Sequence, residues 1–94
     1  MSNATILFDS VFGYVRREGK HIHQSIGSWD SDQWSHPIGA GCEVVISLED
    51  EGYTLNIRVA GLVNCRKDCN DQLHFTQGSM EGILTTARLL GLDF

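Results

Sequence analysis

The chain has 94 residues, of which 41% are hydrophobic and 20% are charged, and its formal net charge at pH 7 is −5. Its length predicts one globular domain spanning residues 1–94, and its composition is not that of a disordered chain. The balance of 12 acidic residues against 7 lysines and arginines argues against a protein that coats nucleic acid or an anionic membrane, because both need a basic surface.

The sequence carries no signal for secretion or for membrane insertion. Its first residues lack a basic segment, and Asp9 and Ser10 interrupt their apolar stretch. No apolar run approaches the roughly 20 residues of a membrane-spanning helix. The three cysteines are an odd number, which is typical of free thiols in a reducing compartment rather than of a disulfide framework. We therefore expect a cytoplasmic protein.

The first third of the chain predicts a β-hairpin. Residues 11–17 and 21–26 contain strand-forming side chains and flank a three-residue turn with Gly19 at its centre. Residues 5–8 are expected to form a short strand of their own or to begin the first of these two strands. The next segment, residues 27–41, contains three glycines, the proline and both tryptophans, and it predicts a structured loop.

The middle of the chain predicts a second hairpin. In residues 42–48 and again in residues 53–59, every second side chain is apolar, which is typical of strands that bury one face. Residues 49–52 between them are polar and end in Gly52, as suits a four-residue hairpin loop. The apolar positions are Cys42, Val44, Ile46 and Leu48 in the first strand and Tyr53, Leu55, Ile57 and Val59 in the second.

The last third of the chain predicts one helix. Residues 64–71 are polar and turn-forming, and residues 72–76 suit a short strand. Apolar residues then recur at helical spacing, with Ser79 as the N-cap and Gly91 as the residue that closes the helix. They are Met80, Ile83, Leu84, Ala87 and Leu90, and Leu92 and Phe94 are expected to fold back onto the core.

Taken together, these elements predict an α+β domain. It has an antiparallel sheet of about four to five strands, including two β-hairpins, and one C-terminal α-helix packed on one face. Cys42, on the apolar side of its strand, is expected to be a small core residue. Because a chain of this size has a small core and exposed sheet edges invite pairing, we expect a homodimer.

Two histidines and two cysteines are the candidate residues for a metal site. His21 and His23, two positions apart on a strand, would share one face, and Cys65 and Cys69 would add two thiolates for zinc. This spacing is not specific, so solvated histidines and free thiols are the simpler interpretation. We expect no metal, no cofactor and no catalytic residue. A small metal-binding or thiol-dependent enzyme that uses these four residues is the alternative.

A segment with two tryptophans and two acids is the most suggestive feature of the sequence. Tryptophan is enriched at binding hot spots, although either ring could instead close the open end of the core. The acidic loop of the second hairpin offers a further polar surface. Its acids, like those beside the tryptophans, are interpreted as solvated carboxylates rather than as acid–base catalysts. The predicted partner-binding residues are Trp29, Asp30, Asp32, Trp34, Glu49, Asp50 and Glu51.

These features predict a small acidic protein-binding module rather than an enzyme. We expect an inhibitor that occludes a larger host or phage protein with a basic surface, with its carboxylates imitating nucleic-acid phosphate. Small size, acidic charge and lack of motifs are typical of phage anti-defence proteins, anti-CRISPR inhibitors among them, and of toxin-immunity proteins. Direct contact with nucleic acid or a membrane is not expected. A self-associating structural protein is a second alternative.

Overall fold

The computed structural model describes residues 3–39, 41–49, 53–59, 63–76 and 78–93. Within these ranges the chain forms two α-helices and six β-strands. They are α1 (Asn3–Glu18), β1 (Lys20–Ile26), β2 (Trp29–Gly39), β3 (Cys42–Glu49), β4 (Thr54–Val59), β5 (Val63–Lys67), β6 (Leu73–Phe75) and α2 (Ser79–Leu89). Neither of the two described helices is both long and apolar enough to cross a membrane.

The strands form one antiparallel sheet in which each strand pairs with the next along the chain, in the order β1-β2-β3-β4-β5-β6. The predicted α+β class and the antiparallel sheet are therefore confirmed. The predicted four to five strands and one helix are corrected to six strands and two helices in the described part of the chain.

Both helices contact each other and the same apolar face of the sheet. In the central hairpin, Ile46 pairs with Ile57 and Val44 with Val59, and all four side chains are buried. The alternation that predicted this hairpin is thus confirmed. The first apolar position predicted for the second strand is wrong, because Tyr53 precedes β4 and is 66% exposed.

The N-terminal segment is a helix, whereas the sequence predicted strands over residues 5–8 and 11–17. Its buried side chains lie on one stripe at the spacing of a helix, and this burial outweighs the strand propensity of its aromatic and β-branched residues. They are Leu7, Phe8, Val11, Phe12 and Val15.

Gly19 consequently joins α1 to β1 and is not the centre of a hairpin turn. Its N–H donates to the carbonyl of Val15 at 2.7 Å. A β-carbon at Gly19 would lie 2.5 Å from the Val15 carbonyl oxygen and 2.8 Å from that of Ser35. Both obstacles are backbone atoms, so the helix and β2 approach this junction too closely for any other residue.

Substituting Gly19 with alanine is expected to destabilise the fold by about 1–3 kcal/mol, the usual cost of forcing atoms into a packed site. The measurement is urea unfolding followed by circular dichroism. Gly13, inside α1, is the matched control, because a β-carbon there would meet nothing within 4 Å and alanine favours the helix by about 0.5–1 kcal/mol. Equal stability of Gly19→Ala and Gly13→Ala would contradict the close approach.

The predicted loop over residues 27–41 is mostly the long strand β2. It pairs with β1 on one side and with β3 on the other, and its register against β3 shifts between Pro37 and Gly39, where a proline is tolerated. A two-residue turn, Gly27 and Ser28, connects it to β1. The loop was predicted from its three glycines and the proline, and the polar start of the strand offers no apolar alternation to indicate otherwise.

The C-terminal third agrees better with the sequence. α2 covers the predicted helix, although its N-cap is Gly78 and Ser79 is buried inside the first turn. The predicted polar turn over residues 64–71 is corrected, since its first half, residues 64–67, belongs to β5. Cys42 is exposed at the start of β3 and is not the core residue that was expected. Leu92 packs partly against the core, and Phe94 lies outside the described residues.

Candidate functional site

The register of β1 against β2 gathers two histidines and two acids on the helix-side face of the sheet. Asp32 lies directly opposite His23, and Asp30 lies opposite Ser25. The Asp32 carboxylate oxygen Oδ1 accepts hydrogen bonds from His21 Nε2 at 2.9 Å and from His23 Nδ1 at 2.8 Å. The other ring nitrogen of His23 lies 3.7 Å from Asp30 Oδ1. We call these four residues, His21, His23, Asp30 and Asp32, the histidine–aspartate cluster.

The cluster shifts the ionisation of its own members. The hydrogen bond to Asp32, and then the charge of Asp32, raise the pKa of His23 above its ordinary value of 6.5. The hydrogen bonds from His23 and then His21 hold the pKa of Asp32 below its ordinary value of 3.8. Both side chains are in contact with solvent, which screens the attraction between them.

These two shifts predict a window of pH in which the His23–Asp32 pair stabilises the fold. The contribution of Asp32 is present above pH 3.8 and is lost as the pH falls through its lowered native pKa. The contribution of His23 is present below pH 6.5 and is lost as the pH rises through its raised native pKa. The His23→Gln substitution should therefore lower the melting temperature most near about pH 5 and least near about pH 8. A Gln24→Ala variant, changed on the opposite face, should show no such dependence. An equal loss for His23→Gln at both pH values would refute the pairing.

Trp34 packs inward and supports this cluster. Trp34 is 9% exposed. The His21 ring stacks on its indole, with the ring centroids 4.6 Å apart and an angle of 16° between the ring planes. The Arg16 guanidinium, at the end of α1, lies 5.3 Å from the centroid of the same indole. Trp34 thus joins β1, β2 and α1, and most of its surface is already in contact with the chain itself. Of Trp29 the structure describes the backbone in β2 and not the side chain.

The two predicted contact segments reach the same end of the sheet. Because the strands are antiparallel and consecutive, β1, β3 and β5 end there and β2, β4 and β6 begin there. Acidic side chains are concentrated there, and we call this region the acidic end. Its described acids are Asp30, Asp32, Glu49, Asp68 and Asp71. Asp50 and Glu51, which follow in the sequence, lie outside the described residues.

The acids at this end project from both faces of the sheet. Asp32 pairs with Leu48 and so shares the helix-side face, whereas Glu49 follows Leu48 and points to the opposite face. The Asp30 side chain is 72% exposed and that of Asp32 is 36% exposed. Among the predicted contact residues whose side chains the structure describes, Asp30 is therefore the most available to a partner.

Asp68 is a further ordered carboxylate at the acidic end, and it was not predicted from the sequence. Asp68 accepts hydrogen bonds from the backbone N–H groups of Asn70 at 2.9 Å and Gln72 at 3.1 Å, and from His74 Nε2 at 2.7 Å. The bond from His74 is the largest cause that holds the pKa of Asp68 below its ordinary value. The Asp-x-Asn spacing is an Asx-turn signal that could have revealed it.

Lys67, which follows the exposed Arg66 at the end of β5, is a cation that neutralises part of this end. Its Nζ lies 2.7 Å from Asp9 Oδ1 and 3.8 Å from Asp71 Oδ1, so it ties α1 to the β5–β6 hairpin. A second basic group, Arg16, Arg17 and Lys20, lies at the other end of β1, since Lys20 is the residue of β1 farthest from the β1–β2 turn. The hairpin β1–β2 is therefore basic at one end and acidic at the other.

The fold does not bring the two histidines of the alternative metal or thiol enzyme, His21 and His23, close to its two cysteines, Cys65 and Cys69. Cys65 is fully buried on β5, and this burial raises the pKa of its thiol to about 11, so it is a poor nucleophile at neutral pH. Cys69 is exposed in the β5–β6 turn. Three strands separate β1 from β5, which places the histidines of β1 roughly 19 Å from β5 at the usual strand spacing. In the described ranges, no three His, Cys, Asp or Glu side chains are arranged to hold a metal ion.

An apolar groove lies at the opposite end of the sheet from the acidic end. It has a volume of about 460 Å³, runs between α2 and the β2–β3 hairpin, and includes the exposed Cys42 in its wall. Its apolar walls come mainly from Ile38, Val59 and Leu89, with Glu81 at its rim. No residue of the histidine–aspartate cluster lines it.

Comparison with protein-family models, with curated proteins and with solved structures finds no match for this chain. The acidic end and the histidine–aspartate cluster therefore stand on the geometry of this chain alone.

Proposed function

We propose that this chain is a protein-binding module that inhibits a larger cytoplasmic protein by covering a basic surface on it. The observation that carries this proposal is the segregation of charge: acids from three separate hairpins meet at one end of the sheet. A basic site that normally holds nucleic acid is the partner surface that such an end fits best.

The mechanism is occlusion. Asp30 and Glu49 present carboxylates from the two faces of the sheet, and Asp68 is already fixed by three hydrogen bonds. Carboxylates held by the fold take the place of phosphate oxygens and lose little conformational freedom on binding. The bound domain then blocks access to the partner's site.

The class of protein follows from the same features. A phage-encoded anti-defence protein, such as an anti-CRISPR inhibitor, and a toxin-immunity protein both act by docking in this way. The support is an analogy of size, charge and surface and not of sequence. The partner is a host or phage protein, and the chain does not bind nucleic acid directly.

Capture from a cytoplasmic extract tests the proposal. The immobilised wild-type chain should retain a protein that binds nucleic acid, and added nucleic acid should compete with the chain for it. A chain with Asp30→Lys and Glu49→Lys should retain much less of that protein. If both chains retain it equally, or if nucleic acid does not compete, the acidic end is not the docking surface.

A further inference from the structure

The outer edge of β1 has no partner within the described residues. β1 is the first strand of the sheet order, so one of its sides pairs with β2 and the other is free. Every residue over 20–25 is exposed, so no described element buries this strand. The opposite edge, β6, has three residues, whereas β1 has seven.

The β1–β2 turn determines which backbone groups point outward. Gly27 has a φ of 62°, and Ser28 is not among the described residues with positive φ, as in a type II′ turn. In such a two-residue hairpin the flanking pair, Ile26 and Trp29, is hydrogen-bonded. Alternation then directs the N–H and C=O groups of His21, His23 and Ser25 away from the sheet, where no described residue meets them.

The charges along this edge are self-complementary. Arg16 lies over Trp34, the cross-strand neighbour of His21, near the beginning of β1. Asp30 is the cross-strand neighbour of Ser25, near the end of β1. Two copies of β1 that run antiparallel place the basic beginning of each strand beside the acidic end of the other. Parallel copies would instead place like charges together.

We propose that two copies of this chain associate by antiparallel pairing of their β1 edges, with the two His23 residues opposite each other. In this register His21 of each copy faces Ser25 of the other, so all three outward-facing residues of both strands are used. Each facing pair makes two hydrogen bonds, and the sheet continues from one copy into the next. Any shift of the register leaves at least one outward-facing residue unpaired. The pairing does not depend on the proposed inhibitory partner.

Sedimentation velocity over a micromolar concentration series tests this association. Wild-type protein should form a reversible dimer. His23→Pro should be monomeric, because proline removes the outward N–H of the central pair, while the bonds to β2 come from the neighbouring residues of β1. His23→Thr is the matched control: it loses the imidazole but keeps the N–H, and it should still form the dimer. Circular dichroism melts confirm that both variants are folded.

Cross-linking tests the register. With Cys42 and Cys69 replaced by serine, His23→Cys should form a disulfide-linked dimer, because facing residues of a hydrogen-bonded pair lie about 5.5 Å apart between Cα atoms, within the disulfide range. Gln24→Cys, on the opposite face, should cross-link far less. A wild-type monomer throughout the series, equal dimerisation of His23→Pro and His23→Thr, or equal cross-linking at the two positions would overturn the proposal.

Discussion

Replacing Ile57 with aspartate is expected to unfold the domain. Ile57 is fully buried and lies between Ile46 on β3 and Cys65 on β5, which are fully buried too. An unpaired carboxylate at this position costs several kcal/mol, which is comparable to the roughly 5–10 kcal/mol that stabilises a domain of this size. Circular dichroism should show no cooperative melting transition for Ile57→Asp.

Arg58→Asp is the matched control, since Arg58 is the next residue of the strand, points to the other face and is exposed. It should melt close to the wild type. Asn56, on the other side of Ile57, would be unsuitable as a control because it is only 8% exposed although it faces away from the helices. Equal melting of Ile57→Asp and Arg58→Asp would mean that the assigned register of β4 is wrong.

The sequence predicts the central hairpin and α2 because in each element the apolar residues follow a single period. In β3 and β4 the apolar side chains alternate along the helix-side face, although two polar residues of the opposite face, Ser47 and Asn56, are buried as well. α2 buries Ile83 and Ala87 one turn apart and ends before Gly91, whose positive φ closes it. Local residue order is sufficient information for such elements.

α1 and β2 were missed because their local and tertiary signals conflict. Aromatic and β-branched residues such as Phe12 and Val15 favour strands by propensity, and Gly13 weakens the helical pattern further. Packing against the sheet decides for the helix. β2 lies between two neighbours, yet its start carries Asp30 and Asp32 on one face and Ser31 on the other, so no apolar alternation marks it.

In the candidate site, too, the sequence identified individual residues but not the contacts that depend on strand pairing. The sequence singled out Asp30, Asp32 and Trp34, and their role in partner binding stays a prediction. It also singled out His21 and His23, but as candidate metal ligands in an alternative, with solvated histidines as the simpler interpretation. That these histidines bond Asp32 depends on the pairing of β1 with β2, and the pairing that was predicted placed residues 11–17 beside β1 instead. The acidic end likewise depends on strand order, which no single segment of the sequence contains.

Charge reversal at the acidic end is expected to act on the association rate with the captured partner. Asp30→Lys together with Glu49→Lys replaces two acids whose side chains project from the two faces of the sheet. Steering by opposite charges raises association rates by about 10-fold or more at low ionic strength, and salt screens it over about 10 Å at 0.1 M. The double variant should therefore associate at least about tenfold more slowly at low salt, and its rate should depend less on salt than the wild-type rate.

The control for this effect is a reversal of equal size at the other end of the sheet. Glu43 and Glu81 are exposed there, near the β2–β3 turn and the start of α2, and Glu43→Lys with Glu81→Lys changes the net charge by the same amount. Because steering depends on where the charges lie, this variant should associate nearly as fast as the wild type. Stopped-flow or surface-based kinetics over a salt series makes the comparison. If both double variants are slowed equally, net charge and not the acidic end governs the encounter. If neither is slowed, the partner does not meet the acids, and the basic group Arg16, Arg17 and Lys20 becomes the surface to change.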